Sequence, residues 1–166
     1  KGGATLATDG ELLAEAVFSC SQTFDEKDVP EQERCLILRP AQFYLLNQTT
    51  KVLNRDWLGA GSYSDGKLDK IAGIKILMSN HLPKANITAA VDGEKNTYYG
   101  DFTNTLGLCM QSNAIATVKL KDLTVQQSGH DFNIVYQSTL MVAKYAMGHG
   151  VLNPSHAIEL STAAKA

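Results

Sequence analysis

At 166 residues, with 44% hydrophobic and 19% charged residues, the chain has the composition of one globular domain or two small ones. A net charge of −2 marks it neither as a nucleic-acid binder nor as a membrane-surface protein. Cys20, Cys35 and Cys109 are odd in number and far apart, each among apolar neighbours, so they read as buried free thiols in a reducing compartment.

No apolar run reaches the length of a membrane span, and no signal peptide opens the chain, so no membrane partner is expected. The sequons at Asn47 and Asn86 therefore carry little weight. The chain opens Lys1-Gly2-Gly3 without an initiator Met, which predicts a piece cut from something longer.

Thr8 followed by Glu11 predicts a capping box at the start of a first helix. Leu12, Leu13, Ala16, Val17, Cys20 and Phe24 recur at helical spacing, with Phe18 widening the stripe. Cys35–Leu38 reads as a short buried strand. Pro40 then suits the first position of a second helix, whose buried side is expected to be Phe43, Tyr44, Leu45 and Leu46. From Asn54 to Gly66 the composition turns to Gly, Ser, Asp and Asn, the signature of a loop. That loop holds Arg55, Asp56, Tyr63 and the sole tryptophan, Trp57. Trp57 reads either as a contact awaiting a partner or as packing inside its own domain.

Ile74, Ile76 and Met78 alternate with Lys75 and Leu77 as a strand would. Lys84–Asn104 is polar and reads as a surface insertion around Asp92-Gly93. Strand patterning returns over Leu106–Met110 and Ala114–Leu120, where Val118 and Leu120 alternate with Lys119 and Lys121. The apolar phase then slips by one to Leu123 and Val125, which predicts a β-bulge at Lys121–Asp122. Thr139–Met147 is apolar at nearly every position, so periodicity leaves strand and helix both open, and Ser138 and Gly148 would suit helix caps. Asn153-Pro154 breaks the chain before a last strand at Ala157–Leu160. This order of helices and strands implies an α+β layer arrangement.

The search for chemistry ends without a complete set. His149 and His156 flank the turn at Pro154 and are two possible metal ligands, but only Glu159 lies near enough to join them. No base accompanies any Cys, so no thiol nucleophile is indicated. Gly59-Ala60-Gly61-Ser62 lacks the strand and helix that a phosphate loop requires. Lys119 and Lys121 offer at most non-specific contacts to phosphates. No catalytic residue, metal or cofactor is therefore expected.

Two stretches carry a resemblance. Thr117-Val118-Lys119-Leu120-Lys121-Asp122-Leu123, followed by Ala143-Lys144-Tyr145-Ala146-Met147-Gly148-His149-Gly150, resembles the C-terminal part of major capsid proteins from short-tailed phages of the T-seven group. The Gly73-led strand ending in Asn80 and Leu82-Pro83 is similar to an element of many phage capsid proteins. Two departures stand out: Ser128–Asn133 replaces an Arg-rich stretch, and Asn153 replaces an Arg before the proline.

The resemblance implies the tailed-phage major capsid fold, and with it a strand over Thr139–Met147. It further implies an axial domain over residues 1–114 and, over 115–166, the C-terminal strands of a peripheral domain. The N-terminal arm, extended loop and spine helix of the family are not found in this sequence. The implied function is that of a virion subunit. It would assemble with copies of itself into hexamers and pentamers around the genome, in the bacterial cytoplasm, with scaffolding and portal proteins as partners. The loop at Arg55, Asp56, Trp57 and Tyr63 would then be an assembly interface. Two other readings are a cellular nanocompartment shell of the same fold and a small His-dependent hydrolase.

Overall fold

The computed structural model describes residues 3–49, 70–89 and 99–163. The chain divides into two compact units, Lys1–Ala114 with Pro154–Ala166, and Ile115–Asn153.

In the larger unit, helix α1 spans Gly10–Glu26. Its cap is Asp9, not Thr8: the Asp9 carboxylate accepts from the amides of Glu11 (2.9 Å) and Leu12 (3.4 Å). Thr8 instead donates its hydroxyl back to the Thr5 carbonyl. Gly10 allows the close approach of helix α2 (Pro40–Asn47), because a Cβ there would lie 2.8 Å from the Leu45 carbonyl oxygen. The buried stripe of α1 is Leu13, Val17, Cys20 and Phe24, each fully buried. It is narrower than expected, with Phe18 half exposed and Leu12 at the border of exposure.

Pro40 does occupy the first turn of α2, where its missing N–H costs nothing. Of the side expected to be buried, Leu46 is in the core, Phe43 and Leu45 are half-buried, and Tyr44 is exposed.

Among the described residues one sheet has the order β2-β3-β1-β6-β9. Its strands are β1 (Arg34–Leu38), β2 (Lys70–Ile71), β3 (Ile74–Met78), β6 (Thr105–Gln111) and β9 (Ala157–Ser161). β1 runs parallel to β3 and antiparallel to β6, and β6 pairs antiparallel with β9. Alternation places Leu36, Leu38, Ile74, Ile76, Cys109 and Leu160 in one core with the α1 stripe. Each buried Leu or Ile among them contributes about 1.5–3 kcal/mol by leaving water. Gly107 gives β6 room beside β1, since a Cβ there would lie 2.7 Å from Leu38 Cδ2 and 2.8 Å from the Ile37 carbonyl oxygen. β2 and β3 are joined by Ala72 and Gly73, both at positive φ (50° and 79°), the conformation of a two-residue hairpin turn. β4 (Asn86–Ile87) and β5 (Gly100–Asp101) form a separate short pair.

The smaller unit is a ribbon of β7 (Ile115–Gln127) and β8 (Met141–Val151) with a short helix, α3 (His130–Tyr136), at its tip. Thr139–Met147 thus resolves as strand from Met141 onward, with Thr139 and Leu140 leading into it. The pairing shifts between Lys119 and Lys121 and again between Lys121 and Thr124, so the expected bulge appears as two slips, one on either side of Lys121. Residues 154–166 group with Lys1–Ala114: β9 returns to pair with β6, where Leu160 joins the larger core.

Candidate assembly surface

The ribbon is where the fold leaves apolar surface open. Between Ile115 and Asn153 no residue is buried. Val118, Leu120, Leu123 and Val125 on β7 are each more than 60% exposed, as are Ile134, Val135 and Tyr136 on α3. What order the ribbon has comes from its ladder and a few side-chain contacts. Thr117 Oγ1 meets His149 Nδ1 at 2.9 Å, Lys144 donates to Gln126, and Lys119 lies 5.9 Å from the Tyr145 ring centroid. At the tip, Ser128 Oγ donates to Asn133 Oδ1 (2.7 Å) and accepts from the Leu140 amide (3.0 Å). A two-stranded ribbon with neither face covered is marginal in water. Exposed apolar surface on this scale marks a place that another element covers.

The residues singled out for chemistry belong to the larger unit or are already engaged. His149 bonds Thr117 on the ribbon, whereas His156 belongs to the larger unit and bonds Gln111 Oε1 at 3.2 Å. Among the described residues no three His, Cys, Asp or Glu side chains come together as a metal site requires. Cys20 and Cys109 are fully buried, and a hydrogen bond with Cys20 that favours the protonated thiol, then burial, raises the Cys109 pKa well above the usual range. Burial also raises Cys35. Thiols held protonated in this way are poor nucleophiles. Arg55, Asp56, Trp57 and Tyr63 lie outside the described residues. The α3 helix carries only a faint sequence signal: Phe132, Val135 and Tyr136 fall at helical spacing, with the Phe132 and Tyr136 rings 4.6 Å apart, but Ile134 between them makes so short a stretch read equally as an apolar run.

Comparison with known proteins converges on one class. The family described as "Gp10A-like: Major capsid protein" matches residues 2–161. The major capsid protein of Escherichia phage T7 is 32% identical over 99 residues, which cover 60% of this chain and 24% of that protein. The capsid structure of cyanophage P-SCSP1u aligns at 44% identity with a TM-score of 0.82, over 98% of this chain and 49% of that one. The mature capsid of bacteriophage PhiM1 aligns with a TM-score of 0.66 at 18% identity, over 93% of this chain and 48% of that one, a likeness of fold alone. The chain thus spans about a quarter of the T7 protein and about half of each solved capsid chain. Its fold is the tailed-phage major capsid fold, with the mixed helices and strands expected. These matches lend no support to a cellular compartment shell or a hydrolase.

Proposed function

The chain belongs to the Gp10A-like family of major capsid proteins, and from that premise we propose that it is part of the structural subunit of an icosahedral bacteriophage head. The observation that carries this reading is the family match over residues 2–161, reinforced by a ribbon in which, among the described residues, none is buried and Val118, Leu120, Leu123 and Val125 are largely exposed. A capsid subunit works by association rather than by a chemical step. Many copies bury surface in heterologous contacts that close into hexamers and pentamers.

In this reading the larger unit is the axial domain and the ribbon supplies strands of a peripheral domain. The N-terminal arm, extended loop and spine helix would come from residues outside this sequence, consistent with its spanning about half of the solved capsid chains. The subunit resides in the virion and assembles in the host cytoplasm. Scaffolding and portal proteins are its further partners, and packaged DNA is met only through non-specific contacts. Expression of the full-length subunit with its scaffolding protein should give regular shells in electron micrographs. A full-length subunit that stays monomeric under those conditions would overturn the proposal.

Arg55, Asp56, Trp57 and Tyr63 are assigned to a contact between subunits. A tryptophan buries a large area with few rotatable bonds, and neighbouring charges set register more than affinity. Trp57→Ala in the full-length subunit should lower shell yield while leaving subunit folding intact. Normal yield, with Trp57 fluorescence equal in free subunits and shells, would remove the assignment.

A further inference from the structure

The ribbon needs something to fix its register. In short hairpins the turn does this, but β7 and β8 are joined through residues 128–140, too long a connection for turn geometry to dictate pairing. No buried face selects one pairing over another, and β7 already accommodates two slips against β8. A one-residue slip would send every side chain to the opposite face.

A candidate pin lies at the other end. Gln111, the last residue of β6, is 3% exposed, and its amide is fully engaged. Nε2 donates to the Gln32 carbonyl and to Ser112 Oγ, both at 3.3 Å. Oε1 accepts from the Asn113 amide at 2.8 Å and meets His156 Nδ1 at 3.2 Å. The Asn113 backbone N–H can only donate and the Gln32 backbone carbonyl can only accept, so the orientation of the Gln111 amide is fixed. His156 must then carry its proton on Nδ1. The short turns Ser112–Ala114 and Pro154–His156, where the chain leaves the larger unit and where it returns, are thereby tied to one buried side chain.

We propose that this Gln111–His156 clasp sets the register of the ribbon from its root, holding Ile115 opposite Val151 so that pairing proceeds outward toward the tip. Holding the two ends together removes the closure entropy that a long connection would otherwise impose on the first pairs. The clasp acts within the subunit, whether or not shells form.

Amide hydrogen exchange on the dissociated full-length subunit tests this. Protection in the wild type should fall from the root (Thr117, Lys119, Met147, His149) toward the tip (Val125, Val142). Gln111→Leu and His156→Phe should each speed exchange at the root by about tenfold, the factor for one ordinary hydrogen bond. Ser128→Ala, which removes the hydroxyl that closes the tip, should leave root exchange unchanged. Root exchange unaltered in Gln111→Leu, or accelerated in Ser128→Ala, would overturn the proposal. If Gln111→Leu does not fold, the wild-type gradient decides, and greatest protection at the tip refutes the clasp. The ¹⁵N shifts of neutral His156 give a second readout: the Nδ1–H tautomer supports the clasp and the Nε2–H tautomer overturns it.

Discussion

Arg34 brings a cation into the larger core with 4% of its side chain exposed, and the structure indicates which of its contacts matter most. Nη2 donates to the Val29 carbonyl and meets Asp25 Oδ1 at 2.8 Å. Nε donates to the Pro30 carbonyl at 3.0 Å, and the guanidinium lies 5.4 Å from the Phe24 ring centroid. Val29 is buried, so removing the guanidinium strands its carbonyl at about 1–3 kcal/mol. Loss of the ring contact adds about 1 kcal/mol. Asp25 is 57% exposed, so water and salt screen its side of the pair, which is then worth about 1 kcal/mol or less. Arg34→Met is therefore expected to cost about 3 kcal/mol, and Asp25→Asn about 1 kcal/mol at most. Urea unfolding of the dissociated subunit, followed by circular dichroism at constant m value, measures both. Equal losses in the two variants would mean that the ion pair, not the carbonyls, holds Arg34 in place.

Asp9→Ala should cost about 1 kcal/mol in the same assay and Thr8→Ala only a few tenths, and the reverse order would return the cap to Thr8. Cys109 has a folded pKa above its unfolded value, so its contribution is complete below the unfolded thiol pKa of about 8.5 and is lost as pH rises through the folded one. Unfolding free energy should thus fall above about pH 8.5, and Cys109→Ala should flatten that fall. An identical alkaline slope in the variant would show that other groups cause it.

How legible each element was depended on how local its determinants are. The α1 stripe, β1 and Pro40 follow from neighbours within two turns, and the apolar pattern placed them. Thr8 and Asp9 are adjacent capping residues, and the choice between them falls to where α1 meets α2 at Gly10, a tertiary fact that no periodicity carries. Tyr44 sits in the apolar run Phe43–Leu46, yet α2 turns it outward, where its hydroxyl can reach water. Over Thr139–Met147 the pattern could not choose between helix and strand, and resemblance decided. The phase slip beside Lys121 was readable from alternation, but its division into two slips depends on β8, many residues away. The association of β9 with β6 likewise depends on a partner distant in sequence.

That last pairing has a consequence for the order in which the subunit can mature on the ribosome. β6 and β9 are neighbours in the sheet, yet the whole ribbon is translated between them. Until β9 emerges, β6 presents an unpaired edge, and the core lacks Leu160, a side chain with no exposure in the finished unit. A nascent chain therefore carries an open, adhesive edge through the synthesis of the ribbon, while the ribbon itself is still uncovered. Premature contact between neighbouring nascent chains would be edge-to-edge strand pairing. Slow translation between residues 115 and 156 would prolong that exposure, so synonymous codon changes confined to this interval should alter soluble yield without altering a single residue of the product.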